Sequence, residues 1–173
     1  MASSPNPQPN RSAQTAQVGE WGETLVCQWL KQQQWQILAR RWQCRWGEID
    51  IIAQCSAQPA TPQIPDHLAF VEVKTRRSRN WDADGRLAIT PQKQKKLWKT
   101  ARLFLSQHPH LWECSCQFDV ALVQCNPVKK AQPSLTVDID QVFQQTELMM
   151  GQPINLGTHQ ISLLDYLESA FTF

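Results

Sequence analysis

No stretch of this 173-residue chain is long and apolar enough to cross a bilayer, and its first residues carry no apolar signal core. A soluble, cytoplasmic protein is therefore expected. No two of the six cysteines, at 27, 44, 55, 114, 116 and 125, stand as Cys-x-x-Cys. Only Cys114 and Cys116 lie close together, and the histidines at 67, 108, 110 and 159 supply no matching half-site. That spacing sets aside a structural zinc site and a disulfide framework in favour of reduced thiols. Charged residues are scarce, at 18%, but a hydrophobic share of 42% is near the globular norm and excludes wholesale disorder. No internal repeat is visible, and the length suits one core with an appendage.

What is present is unevenly arranged. Residues 1–17 hold Pro, Ser, Asn and Gln with no large apolar side chain and read as a disordered tail. From Val18 the texture changes: Trp21, Leu25, Val26, Trp29 and Leu30 recur near helical spacing and predict a helix over 18–33. Short β-like runs follow at 35–42, 47–53 and 67–75, the last two separated by a Pro-rich loop. With no helix between them, these strands predict an antiparallel meander. Thr90-Pro91 reads as a cap and first turn of a helix ending near His108-Pro109, where the two nearby histidines suit a capping role. A strand is expected over 117–124. The core domain is thus placed at 18–126. An insertion of unclear structure spans 127–160, with one strand suggested at 135–139, and 161–173 is expected to dock on the core as a short helix.

The small formal charge of +2 hides a strong asymmetry. Between Lys74 and Arg102 stand ten Lys and Arg against Asp82 and Asp84, a net +8 that leaves −6 for the rest of the chain. Such a block can neutralise phosphates and release counterions, so nucleic acid is a natural partner; the alternative is a solvated helix face and loop. Arg76, Arg77, Arg79, Lys93, Lys95, Lys96 and Lys99 are the candidate nucleic-acid-binding residues. Of the eight tryptophans most are expected in the core, while some could stack on bases; Trp81, in the Arg-rich loop RRSRNWDADGR, is the one singled out.

Two β-like runs carry acids where apolar residues are usual. In GEIDIIA (47–53), Glu48 and Asp50 are two apart and should share a face opposite Ile49 and Ile51. In FVEVKTR (70–76), Glu72 and Lys74 share a face opposite Val71 and Val73. Were these strands paired, Asp50, Glu72 and Lys74 would converge. Two carboxylates crowded in a half-buried place favour a shared cation, and hard oxygen ligands suit Mg²⁺ or Mn²⁺. Such a metal polarises a phosphodiester and lowers the pKa of a bound water, while Lys74 orients that water or steadies charge on phosphate. Glu23, on the first helix, can add a carboxylate from the side. The expected catalytic set is Glu23, Asp50, Glu72 and Lys74, with Asp50 and Glu72 as metal ligands.

Gly22-Glu23, GEIDIIA, FVEVKTR, Lys93-Gln94 and Phe118-Asp119-Val120 together resemble the YraN-type family of uncharacterised bacterial proteins. That family is similar to Holliday-junction-resolvase-like members of the PD-(D/E)xK nuclease superfamily. The resemblance covers about 18–125, and LDYLESAF at 164–171 resembles the family's closing segment. It implies a restriction-endonuclease-like α/β fold with a central mixed sheet flanked by helices. It also maps the superfamily's metal-binding Asp onto Asp50, its second acid onto Glu72, its Lys onto Lys74 and its helical Glu onto Glu23. Lys93 and Asp119 match positions without a clear role. Gln34 and Arg41 stand where the family usually has Gly and Asn, and Gln117 where it has a basic residue.

The expected function is therefore a Mg²⁺-dependent nuclease acting on DNA rather than RNA, with branched or flapped structures as candidate substrates. The alternatives are a non-catalytic nucleic-acid-binding module of the same fold and an assembly protein whose basic stretch meets an acidic partner. Oligomeric state stays open, a homodimer included.

Overall fold

The computed structural model describes residues 11–55, 66–77, 89–128 and 138–171. Val18, Leu25, Val26 and Leu30 are all buried, and their packing sustains helix α1 from Arg11 to Gln32. The helix thus begins at Arg11 rather than Val18: residues 11–17, expected as tail, are helical, and residues 1–10 lie outside the described residues.

The end of α1 is tightly specified. The Gln34 N–H donates to the Lys31 carbonyl at 3.0 Å and the Trp35 N–H to the Leu30 carbonyl at 3.0 Å. This Schellman arrangement requires a left-handed residue, and Gln34 supplies it at φ 68°. A side chain there is strained where glycine is not, which accounts for the usual Gly of the resembling family. Gln34→Gly is expected to raise stability by about 1 kcal/mol. The check is a higher urea midpoint with an unchanged denaturant slope; a lower midpoint would contradict the strain.

Strands β1 (Gln36–Cys44), β2 (Gly47–Cys55) and β3 (His67–Arg76) form the expected antiparallel meander. Helix α2 (Pro91–Gln107) then crosses over to β4 (Ser115–Pro127), which pairs in parallel with β3. Thr90 caps α2 as expected, its hydroxyl accepting from the Lys93 N–H at 3.3 Å, and Pro91 opens the first turn. At the far end the His108 ring donates to the Phe104 carbonyl at 2.8 Å. Helix α3 (Ile139–Gln145) and strands β5 (Ile154–Asn155) and β6 (His159–Phe171) complete a mixed sheet of order β1-β2-β3-β4-β6-β5.

One apolar core lies between this sheet and α1 with α3, built on residues such as Leu30, Val71, Val123 and Phe143. The other lies beneath α2, with Phe70, Phe104 and Phe118 in ring contact. A mixed sheet with helices on both faces is the restriction-endonuclease-like α/β fold. No helix among the described residues is long and apolar enough to cross a membrane, and none of the six cysteines is in a disulfide.

Two expectations at the C-terminal end need correction. Ile139 opens a helix rather than closing a strand, while 129–137 lie outside the described residues. The stretch from Ile161 docks as strand β6, not as a helix. Its register against β4 shifts twice, between the partners of Phe118 and Val120 and between those of Leu122 and Val123. Asp119 holds the first shift: fully buried, it accepts from the Ser169 N–H at 2.9 Å and the Tyr166 hydroxyl at 2.8 Å. Gln117 also donates to it, at 3.1 and 2.9 Å. Burial pushes the Asp119 carboxyl up while these hydrogen bonds pull it down. Asp119 therefore fastens a bulged strand, a structural role.

Candidate active site

The site begins where two strands part. The β2–β3 ladder runs only to the pair Ile51–Val71, although β2 stays paired with β1 as far as Gly47. At the parting, Asp50 Oδ2 accepts the Val73 N–H at 2.7 Å. Face alternation also breaks there: Ile49 packs in the α2-side core and Ile51 in the α1-side core, so they do not share the face expected of them. The irregularity aims a carboxylate across the gap between the strands.

Glu72, only 4% exposed, stands on β3 beside it. Its Oε1 accepts from Lys74 Nζ at 2.7 Å and lies 3.0 Å from Lys93 Nζ. Its Oε2 is buried with no hydrogen-bond partner. Burial, and then the neighbouring Glu72 charge, push the Asp50 carboxyl up to about 7 against the opposing pull of the Val73 N–H. Asp50, Glu72 and Lys74 thus line one cleft, Asp50 reaching it through the parting of β2 from β3 rather than through regular alternation.

Glu23 projects from α1 toward the same cavity, with a different immediate partner. Arg41 Nε lies 3.5 Å from Glu23 Oε2 and 3.4 Å from Glu48 Oε1, and the backbone of Arg41 is left-handed at φ 48°. Burial raises the Glu23 carboxyl, with Arg41 opposing. Glu23, Asp50, Glu72, Lys74, Thr75 and Arg77 are among the residues lining a cleft of about 580 Å³. Arg76 and Arg77 are exposed at the end of β3, and Lys95, Lys96 and Lys99 are exposed on α2. Arg79 and Trp81 lie outside the described residues. Among the described residues no group of three or more His, Cys, Asp or Glu closes to metal-binding geometry.

Gly22 sets the depth of Glu23. A Cβ there would collide with the Thr75 hydroxyl and stand 3.2 Å from the Thr75 Cβ, so α1 reaches β3 only because residue 22 has no side chain. Gly22→Ala is expected to destabilise the fold by about 1–3 kcal/mol. Adding Thr75→Ala should restore most of that, since it removes the colliding hydroxyl, which itself has no hydrogen-bond partner. Urea titrations of both variants check this, and an unaltered Gly22→Ala midpoint would contradict the close approach.

The sequence did not reveal the partners of these groups. Lys93, assigned to phosphate contact, sits on Glu72 inside the site; the readable sign was a lysine in a helix first turn that has no acid, where the macrodipole disfavours a cation. Arg41, linking Glu23 to Glu48, left no local sign beyond replacing the expected Asn.

Comparison with known proteins supplies an independent line. The model of "Uncharacterised protein family UPF0102" matches residues 22–123. A UPF0102 protein of Acaryochloris marina is 60% identical over 172 residues, covering 99% of this chain and 99% of its own. A UPF0102 protein of Trichodesmium erythraeum is 47% identical over 92% of this chain and 91% of its own. One from Trichormus variabilis is 40% identical over 89% and 93%.

Proposed function

The chain belongs to uncharacterised protein family UPF0102, the YraN-type family its motifs resemble, and from that premise we propose that it is a metal-dependent nuclease of the cytoplasm that hydrolyses DNA. The observation that carries the reading is the orphaned Glu72 Oε2, buried beside an Asp50 carboxyl whose charge the site strains to hold. An unpaired buried carboxylate oxygen is costly, and a divalent cation between Asp50 and Glu72 relieves both groups at once. Mg²⁺ suits a site of two carboxylates, since it commonly takes one or two from the protein and the rest from water and substrate phosphate. When bound, such an ion polarises the phosphodiester and acidifies a water.

The chain's own groups then have distinct tasks. The Val73 N–H holds the Asp50 carboxylate at the strand gap. Lys74 and Lys93 share Glu72 Oε1, and with Oε2 unpartnered Glu72 would be a residue to hold the cation together with Asp50. Lys74 lines the cleft and can follow charge as it builds on the phosphate. Glu23 adds a buried carboxylate to the cleft lining, and Arg76 and Arg77, lining the same cleft, can meet the DNA backbone.

The test is incubation of purified protein with labelled linear, flapped and four-way DNA, and with RNA, in Mg²⁺, Mn²⁺ or EDTA. Cleavage of DNA that needs metal and vanishes in EDTA is expected. No cleavage of any substrate with either metal would favour the second reading, a non-catalytic nucleic-acid-binding module. That reading draws support from Glu72 Oε1 being already neutralised by two ammonium groups.

A further inference from the structure

A row of cations leads out of the cleft. Lys93, Lys96 and Lys99 recur at every third position of α2, about 4.5 Å apart along the axis, and so lie along one ridge. Lys93 is on Glu72 at 3.0 Å. Lys96 runs beside the β1–β2 turn: a Cβ on Gly47 would stand 3.9 Å from that of Lys96. Lys99 Nζ lies 4.6 Å from the centre of the Trp46 ring, and the Arg45 guanidinium lies 4.9 Å from the same ring. Trp46 also sits in the β1–β2 turn, four residues before Asp50, and β2 runs from that turn to the cleft. The helix and the strand therefore connect the same two places.

Trp46 contributes to neither apolar core and is 39% exposed. A large aromatic ring kept at the surface by two cations is a costly ornament for folding and a suitable platform for a base. We propose that Trp46 stacks an unpaired nucleotide, with Arg45, Lys96 and Lys99 on the flanking phosphates, so that the substrate brings a single-stranded segment along α2 to the cleft. This rests on the nucleic-acid reading of the site and specifies which nucleic acid it takes. An incoming base replaces a cation on the ring, and the displaced cation meets a phosphate, so cation–π contact is exchanged for stacking plus a charge pair. Every base has a π-face, so the recognition tolerates sequence; a fully paired blunt duplex offers the ring nothing to stack.

The test measures binding in EDTA, without turnover. The probes are a blunt duplex, the same duplex with a single-stranded overhang, and one whose overhang is abasic. Trp46→Ala should lose about 10- to 100-fold in affinity for the intact overhang and nothing for the blunt duplex. Trp46→Phe should retain most of the affinity, and Trp112→Ala, at a residue 67% exposed, should retain all of it. The abasic overhang should bind wild type as weakly as the intact overhang binds Trp46→Ala, a comparison that stands even if the alanine variant folds poorly. Equal affinity of wild type for intact and abasic overhangs overturns the inference. Cleavage is scored separately in Mg²⁺: overhang binding through Trp46 without cleavage removes the nuclease reading alone, and cleavage with no Trp46 dependence removes this inference alone.

Discussion

Lys74→Ala is expected to cleave DNA about 10²–10³-fold more slowly than wild type while binding it almost as tightly. The separation follows from how Glu72 is held. Its Oε1 has two ammonium partners, Lys74 at 2.7 Å and Lys93 at 3.0 Å, so removal of Lys74 leaves Lys93 to neutralise the carboxylate. The fold and the Asp50–Glu72 pair should survive. What goes is the cation able to follow charge onto the phosphate during reaction, an interaction worth far more in the transition state than in ground-state binding. Single-turnover rates with saturating protein, alongside DNA affinities in EDTA, read the two effects apart. Equal cleavage by wild type and Lys74→Ala would assign the activity to another site or to a contaminant. Weakened binding with an unchanged rate would make Lys74 a phosphate contact only.

That Lys74 could be singled out at all reflects which features are local. Period-two spacing placed Glu72 and Lys74 on one face, and a Thr-Pro cap located α2, because both signals are written within a few consecutive residues. The failures share a different cause. Arg11 to Gln17 have no apolar face of their own; their helix is propagated from the packed turns beginning at Val18, and cooperativity across that boundary is invisible in composition. In β6, Leu164, Leu167 and Phe171 recur at three and four residues as in a helix, because two register shifts add residues to a strand whose period would otherwise be two. The site was legible only in part for the same reason. The acids announced themselves, but the break in alternation at Asp50 and the reach of Lys93 to Glu72 arise only when β2 leaves β3 and α2 folds back over the sheet.

Asp50 also makes stability depend on pH in a direction opposite to that of an ordinary paired carboxylate. Its carboxyl is pushed from the usual 3.8 up to about 7, first by burial and next by Glu72. The folded protein therefore holds this proton more tightly than the unfolded chain does. The contribution is fully present below the unfolded value and is lost as pH rises through the folded one. Across that window the metal-free protein should lose stability from this group. Asp50→Asn should lack the decline, because the amide oxygen can still accept the Val73 N–H and no second charge faces Glu72. At pH 8 without metal the variant is expected to melt higher than wild type. Mn²⁺ should reverse the order: a cation that binds only folded protein, at about 100 times its dissociation constant, stabilises wild type by about 2.7 kcal/mol. It should leave Asp50→Asn unmoved. The wild-type response should also shrink between pH 8 and pH 6, where protons compete with metal for Asp50. Melting curves of both proteins at pH 6 and 8, with Mn²⁺ and with EDTA, contain the whole comparison. An Asp50→Asn protein that still gains stability from Mn²⁺ would take Asp50 out of the metal site, and a wild type equally stable at pH 5 and pH 8 without metal would mean that its carboxyl is not strained by burial beside Glu72.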